Sequence, residues 1–234
     1  MTVAVIIAGG IGQRMGQEIP KQFLNVNDKP IIVYTMECFQ DNPQVDGIVV
    51  VTLPNWIDFV KAYSRQFNIT KLMNVVAGGA TGHESIRHGI EAVNSQCPKD
   101  TAVMIHDGIR PMLSADVIAD NLAVFREKGN AVTVIPCVEV MFRSEDPASS
   151  TETIPRSELW RTQTPQTFTL EKLLWAHEEA KKRGITAATA TCSLMSDLGE
   201  IVYFSKGSEK NVKLTTMDDL DIFKALLAVK REMR

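Results

Sequence analysis

The 234-residue chain contains no apolar run approaching the roughly 20 residues that a membrane-spanning helix requires. It carries no excess of basic charge either. The formal net charge is -3, which leaves none of the broad positive field that draws in nucleic-acid backbones. The four cysteines, Cys38, Cys97, Cys137 and Cys192, form no CxxC pair and stand at no ligand spacing from a histidine, so they read as reduced thiols. Internal repeats and low-complexity tracts are missing. So are two familiar phosphate loops: no register of AGGIGQRMGQ fits GxxxxGK[ST], and GxGxxG fails because Met15 follows where the third glycine should stand. The start, MTVAVIIAGG, shows no charged leader and no small-residue cleavage site, which sets the expectation of a cytoplasmic address. Neither membrane nor nucleic acid is an expected partner, so each basic residue has to be read individually.

What is present is globular: 44% hydrophobic and 23% charged residues, in a length suited to one large α/β domain over 1–234 with a single excursion. Apolar runs predict strands over 3–8, 47–52, 72–77, 102–106, 131–135 and 201–204. Between them, apolar residues at three- and four-residue spacing predict helices over 30–39, 56–67, 84–93, 114–127, 170–183 and 217–230. Such alternation implies a mostly parallel, twisted sheet with helices on both faces, a Rossmann-like three-layer sandwich that binds ligands beyond the carboxyl ends of its strands. The segment between Cys137 and Phe168 breaks the rhythm with a polar Pro/Ser/Thr/Glu centre. It reads as a projecting β-hairpin arm at about 137–163, a candidate dimerisation element, because Leu159 and Trp160 are apolar groups that require burial. A floppy surface insertion is the alternative.

The loop after the first strand concentrates the chemistry. In AGGIGQRMGQEIPKQF, glycines allow backbone N–H groups to approach a polyphosphate closely, while Arg14 and Lys21 add full positive charges. That combination suits a nucleoside triphosphate under attack, since negative charge builds on phosphate oxygens in the transition state. The bland alternative is a tight turn with two solvated bases. In IHDGIRP the predicted strand ends in Asp107, placed to hold Mg2+ or sugar hydroxyls. His106 has no second histidine at ligand spacing and reads as a core or supporting group.

AGGIGQRMG followed by PKQF resembles the signature of the cytidylyltransferases that act on 2-C-methyl-D-erythritol 4-phosphate and on ribitol 5-phosphate. AGGATGHESIRHGI is similar to that family's second glycine segment, IHDGIRP to its aspartate segment, RTQTPQTF to its threonine segment and KNVKLTTMDDL to its C-terminal lysine segment. The resemblance implies transfer of CMP from CTP to a phosphate monoester with release of pyrophosphate, by a homodimer using Mg2+. It implies that Arg14, Lys21 and Lys213 are catalytic cations on the phosphates. It assigns Ala8, Gly9, Gly10, Gly12, Gly78, Gly79, Ser85 and Asp107 to the nucleotide, Asp107, Arg110, Arg156 and Thr164 to the acceptor, and Asp107 to the metal. The chain departs from the family pattern at Gly82, where an arginine is usual, near Ala80, where an acidic residue is frequent, at Glu139-Val140 in place of Asp-Thr, and at Ala190 in Thr189-Ala190-Thr191. KPIIVYTMECF, PNWIDFVKAYSRQF and HDGIRP resemble the ribitol branch more than the methylerythritol branch, so ribitol 5-phosphate is the expected acceptor. Methylerythritol phosphate is the alternative, and a regulatory nucleotide-binding protein is the non-enzyme alternative.

Overall fold

The structure, a computed structural model, describes residues 1–10, 19–185 and 188–232. Strand β1 (Thr2–Ala8) sends Val3 and Val5 to one face and Ala4, Ile6 and Ala8 to the other, and all five side chains are buried. A strand apolar on both sides has to be covered twice, which is what the following elements do. The short hairpin β2 (Asn25–Val26) and β3 (Lys29–Pro30) leads into α1 (Ile31–Gln40), β4 (Gly47–Thr52), α2 (Ile57–Gln66), β5 (Leu72–Ala77) and α3 (Gly82–Asn94). Next come β6 (Ala102–Asp107), α4 (Ala115–Lys128), β7 (Asn130–Pro136) and the arm strands β8 (Met141–Arg143) and β9 (Glu152–Ile154). The chain finishes with β10 (Trp160–Thr169), α5 (Leu170–Lys182), α6 (Thr191–Asp197), β11 (Phe204–Lys206) and α7 (Met217–Glu232).

The main sheet has the order β11-β7-β10-β6-β1-β4-β5. Its pairs β1/β4, β4/β5, β1/β6 and β7/β11 are parallel, and β10 is antiparallel to both neighbours. One face packs on α3, α5 and α6 through Ile86, Ile90, Leu173 and Leu194. The other packs on α1, α2 and α4 through Met36, Val60, Ile118 and Leu122. A third cluster seats α7 on Val26, Ile31 and Ile109 through Leu220 and Phe223. Gly89 lets α3 lie directly on the sheet, because a Cβ there would stand 2.4 Å from Val5 Cγ1. This is the expected Rossmann-like α/β sandwich.

The winding places the site. From β1 the chain steps outward to β4 and β5, and then β6 returns to the opposite side of β1. Such a reversal opens a crevice at the carboxyl ends of the two central strands. Here those ends are level, with Ile7 of β1 paired to Asp107 of β6.

Three elements differ from the sequence pattern. The last strand occupies Phe204–Lys206 rather than 201–204. α6 breaks what the pattern leaves as a loop. Most consequentially, residues 160–163, the expected end of the arm, belong instead to β10, a ten-residue strand wedged between β6 and β7. Its polar side chains hide that position from a hydrophobicity pattern. Thr167 is fully buried because its hydroxyl donates to Asn121 of α4. The hairpin itself is real: β8 pairs with β9 and exposes most of its residues. Within the single chain the expected burial of the arm's apolar groups is incomplete. Leu159 is half-buried, and Trp160 remains 48% exposed beside Phe204.

Candidate active site

A cleft of about 740 Å³ opens at the switch point, within the size range of ligand pockets. Ala8, Gly9 and Gly10 bring the end of β1 to its floor, and Lys21, Asp107 and Lys213 line it from three separate segments. Gly12 and Arg14 lie outside the described residues. Lys21 stands on a 3-10 turn, Lys21–Phe23, that is braced from behind: Phe23 is buried and its ring stacks on Trp56 at 3.9 Å.

Asp107 is the electrostatic centre. Arg110 Nε donates to its Oδ2 at 2.9 Å, and Lys213 Nζ approaches its Oδ1 at 3.1 Å. Burial by itself would push this carboxyl up, but Lys213 and Arg110 outweigh it and hold the group below the usual carboxylate range. The two cations are not equivalent. The Arg110 side chain is 10% exposed, and its Nη1 also donates to the Asn211 carbonyl at 2.7 Å, so it acts as a buried strut. The Lys213 side chain is 45% exposed, and an ion pair that open to water contributes only about 0–1 kcal/mol. A phosphate can therefore draw Lys213 away from Asp107 far more easily than it can Arg110.

Thr164 closes this corner, and its hydroxyl accepts from the Asp107 N–H at 3.1 Å. Behind it, fully buried His106 lies 3.0 Å from the same hydroxyl through Nδ1 and 3.3 Å from the Arg110 carbonyl through Nε2. Burial pushes His106 down to about 4 despite the carboxylate of Asp107, so the ring is neutral. A neutral ring facing a carbonyl through Nε2 must carry its proton there, and Nδ1 then accepts from Thr164. Lys213 reaches the site because Leu214 N–H donates to the Ile109 carbonyl and Asn211 Nδ2 donates to the Thr164 carbonyl at 2.8 Å.

On the opposite wall, the segment after β5 is folded tightly onto the start of α3. Thr81 caps the helix by accepting from the Glu84 N–H, while Glu84 Oε2 accepts from the N–H groups of Ala80 and Thr81. Ser85 accepts from the Gly79 N–H at 3.1 Å and donates to the Thr81 carbonyl at 2.9 Å, so its hydroxyl shapes the glycine segment from within. A Cβ at Gly79 would meet Glu84 Cβ at 2.3 Å, which is why glycine stands there. Arg156 sits elsewhere, on an exposed turn at the base of the arm, with Nη1 donating to the Val138 carbonyl at 3.3 Å. It does not line the cleft.

The model of the 2-C-methyl-D-erythritol 4-phosphate cytidylyltransferase (IspD) family matches residues 2–229. The chain belongs to the IspD family. It is 43% identical to a ribitol-5-phosphate cytidylyltransferase of Lacticaseibacillus paracasei, over 98% of this chain and 99% of that one. To a 2-C-methyl-D-erythritol 4-phosphate cytidylyltransferase of Desulforamulus reducens it is 36% identical, over 96% and 95%. Its fold matches the solved 2-C-methyl-D-erythritol 4-phosphate cytidylyltransferase of Francisella tularensis with a TM-score of 0.77 at 26% identity, covering 94% and 97% of the two chains.

In this IspD-family cleft the departures from the pattern have definite places. Gly82 opens α3 at the rim, where a Cβ would meet nothing within 4 Å, so no steric demand excludes a larger residue. Ala190 lines the far end of the cleft between Thr189 and Thr191. Val140 is exposed on the approach to the arm. Among the described residues no group of three His, Cys, Asp or Glu side chains could hold a metal. Asp107 is the single carboxylate among the described lining residues, and with Lys213 drawn off its Oδ1 it could give one ligand to a magnesium ion that fills its shell from substrate phosphates and water.

Two buried amides stand inside the quoted motifs without a role assigned to them from sequence. Gln22, the third residue of PKQF, is buried against the carbonyls of Ala8 and Gly10, and Asn211 is buried against the Thr164 carbonyl. The Thr81/Glu84 capping box had a legible signal in T-x-x-E; Asn211 had none.

Proposed function

We propose that this chain transfers CMP from CTP to ribitol 5-phosphate and releases pyrophosphate. The observation that carries the reading is the convergence of Lys21, Asp107 and Lys213 on one cleft at the sheet's switch point, in a family of cytidylyltransferases. The 43% identity to a ribitol-5-phosphate cytidylyltransferase supports the choice of acceptor.

An oxygen of the acceptor phosphate attacks the α-phosphorus of CTP. A P–O bond forms, the α–β anhydride bond breaks, and the electron pair leaves with pyrophosphate. The phosphate oxygen is already a nucleophile, so positioning and charge neutralisation do most of the work. Gly9 and Gly10 leave room for the triphosphate, and Lys21, joined by Arg14, stabilises charge on the α-phosphate and the leaving group. Lys213 turns from Asp107 towards the attacking phosphate. Asp107, held rigid by Arg110, and Thr164 face the acceptor, and the Gly78–Gly79 segment with Ser85 faces the base and ribose. Mg2+ would be held by Asp107 together with the triphosphate, where it supplies neutralisation of phosphate charge.

Arg156 belongs to the acceptor site of a homodimer in this reading, reaching the neighbouring protomer's cleft from the arm. The exposed apolar groups Trp160, Phe204 and Phe142 support an interface there.

Pyrophosphate release should appear with CTP plus ribitol 5-phosphate and not with the other three nucleoside triphosphates. Release with methylerythritol phosphate and none with ribitol 5-phosphate would instead establish the second reading, to which the 36% identical relative points. Lys21→Ala should lower turnover by on the order of a thousandfold; near-normal turnover would remove Lys21 from the mechanism.

A further inference from the structure

Gln22 is 1% exposed, yet it reaches the cleft wall. Its Nε2 donates to the Ala8 carbonyl at 2.6 Å and to the Gly10 carbonyl at 2.9 Å. Those two carbonyls flank Gly9 where the chain leaves β1 and enters the glycine loop. A primary amide has two hydrogens on one nitrogen, and both are committed here to the same two-residue stretch of backbone.

Such a contact does two things at an anion site. A carbonyl oxygen carries partial negative charge, so one turned towards a triphosphate repels it; a donor that engages both carbonyls holds them off the ligand. The contact also links the loop to the turn that carries Lys21. That turn is fixed independently, by the Phe23 N–H to Pro20 carbonyl bond at 2.8 Å and by the stacking of Phe23 on Trp56. Backbone and ammonium are thereby kept in one relative position.

We infer that Gln22 is a positioning residue for the nucleotide's triphosphate, setting the glycine loop against Lys21 through its two bonds to Ala8 and Gly10. The inference rests on the reading of this cleft as the seat of CTP. Side-chain chemistry singles out glutamine: glutamate keeps the shape but sets acceptors against acceptors, methionine keeps the length without a donor, and asparagine is one methylene too short.

The test compares wild type with Gln22→Met and Gln22→Glu, by calorimetric titration of CTP without acceptor and by steady-state pyrophosphate release. Both variants should bind CTP more weakly and lose on the order of ten- to hundredfold in kcat/KM for CTP, while the KM for ribitol 5-phosphate changes less than about twofold. A merely structural glutamine would lower the melting temperature and leave the CTP dissociation constant of the folded protein where it was. Folded Gln22→Met with wild-type CTP affinity and turnover overturns the inference, and this variant decides if the glutamate variant does not fold. On the unsubstituted protein, CTP should shift both Nε2–H resonances of Gln22; an unmoved pair overturns it as well. Failure of the wild type to bind CTP refutes the reading of the site, and the inference with it.

Discussion

At the scale of single residues, exposure sorts groups that a sequence presents as alike. Arg110 and Lys213 are both cations on Asp107, but one is a buried strut and the other is half open to water. Asp107→Asn should therefore destabilise the protein by about 3 kcal/mol, since it leaves Arg110 buried without its charge partner. Lys213→Met should cost under about 1 kcal/mol of stability, yet lower turnover at least about a hundredfold. Urea unfolding and steady-state kinetics on the same samples separate the two effects. The histidines make a second contrast. Among the described residues neither ring nitrogen of buried His177 has a hydrogen-bond partner; its ring lies 4.5 Å from that of His83, and burial first, then the nearby His83 and Arg87, push it down to about 4. His106 falls to about 4 as well. Both native pKa values lie below the ordinary value of about 6.5, so the unfolded chain takes up protons that the native state refuses. Their contribution is complete above the ordinary value and is lost as pH falls towards 4, by at most about 1.4 kcal/mol per pH unit for each ring. Unfolding free energy should thus drop between pH 7 and pH 5, and His177→Leu should flatten that slope; an unchanged slope would remove His177 as a cause.

At the scale of elements, β10 matters most, because it carries Thr164 and lies between the strand of Asp107 and the outer strands. It tolerates polar residues in a buried position because Asn121 of α4 meets them. Asn121 Nδ2 donates to Thr133 Oγ1 at 3.1 Å and to the Pro165 carbonyl at 3.2 Å, while its Oδ1 accepts from Thr167. Asn121→Leu would strand several buried polar groups at about 1–3 kcal/mol each, so a loss of a few kcal/mol in chemical denaturation is expected. The register shift between Thr162 and Gln166 interrupts the ladder where the strand passes the cleft. The arm makes the other element-scale prediction. Replacing residues 144–151 by a two-residue Asn-Gly turn preserves a hairpin between β8 and β9 but removes its tip. If the arm forms the dimer contact, dimerisation and turnover should fall together in sedimentation and activity assays; a fully active monomer would refute the shared site.

At the scale of the whole molecule, alternating apolar runs made most of the architecture legible. Both faces of β1, β4 and β6 are apolar, and a strand apolar on two sides requires helices on two sides, so the layered α/β arrangement follows from local pattern. Gly9, Gly10 and Asp107 as cleft-lining positions were legible too, since glycines and a carboxylate at strand ends are visible without knowing the order of the strands. Strand order was not. That β6 returns beside β1 and sets Asp107 level with Ile7, or that a threonine-rich segment runs antiparallel inside the sheet, depends on contacts between residues tens of positions apart, which no local periodicity encodes. The partners of Gln22 and Asn211, two residues inside quoted motifs, were hidden on the same ground: each bonds backbone carbonyls distant in the chain, and a buried amide looks in sequence like any surface amide. The sequence by itself determined most of the element types, the chemistry available and the family. Only the tertiary structure decided which cation on Asp107 is buried and which stands open to water, because burial is a property of the packed chain rather than of its order.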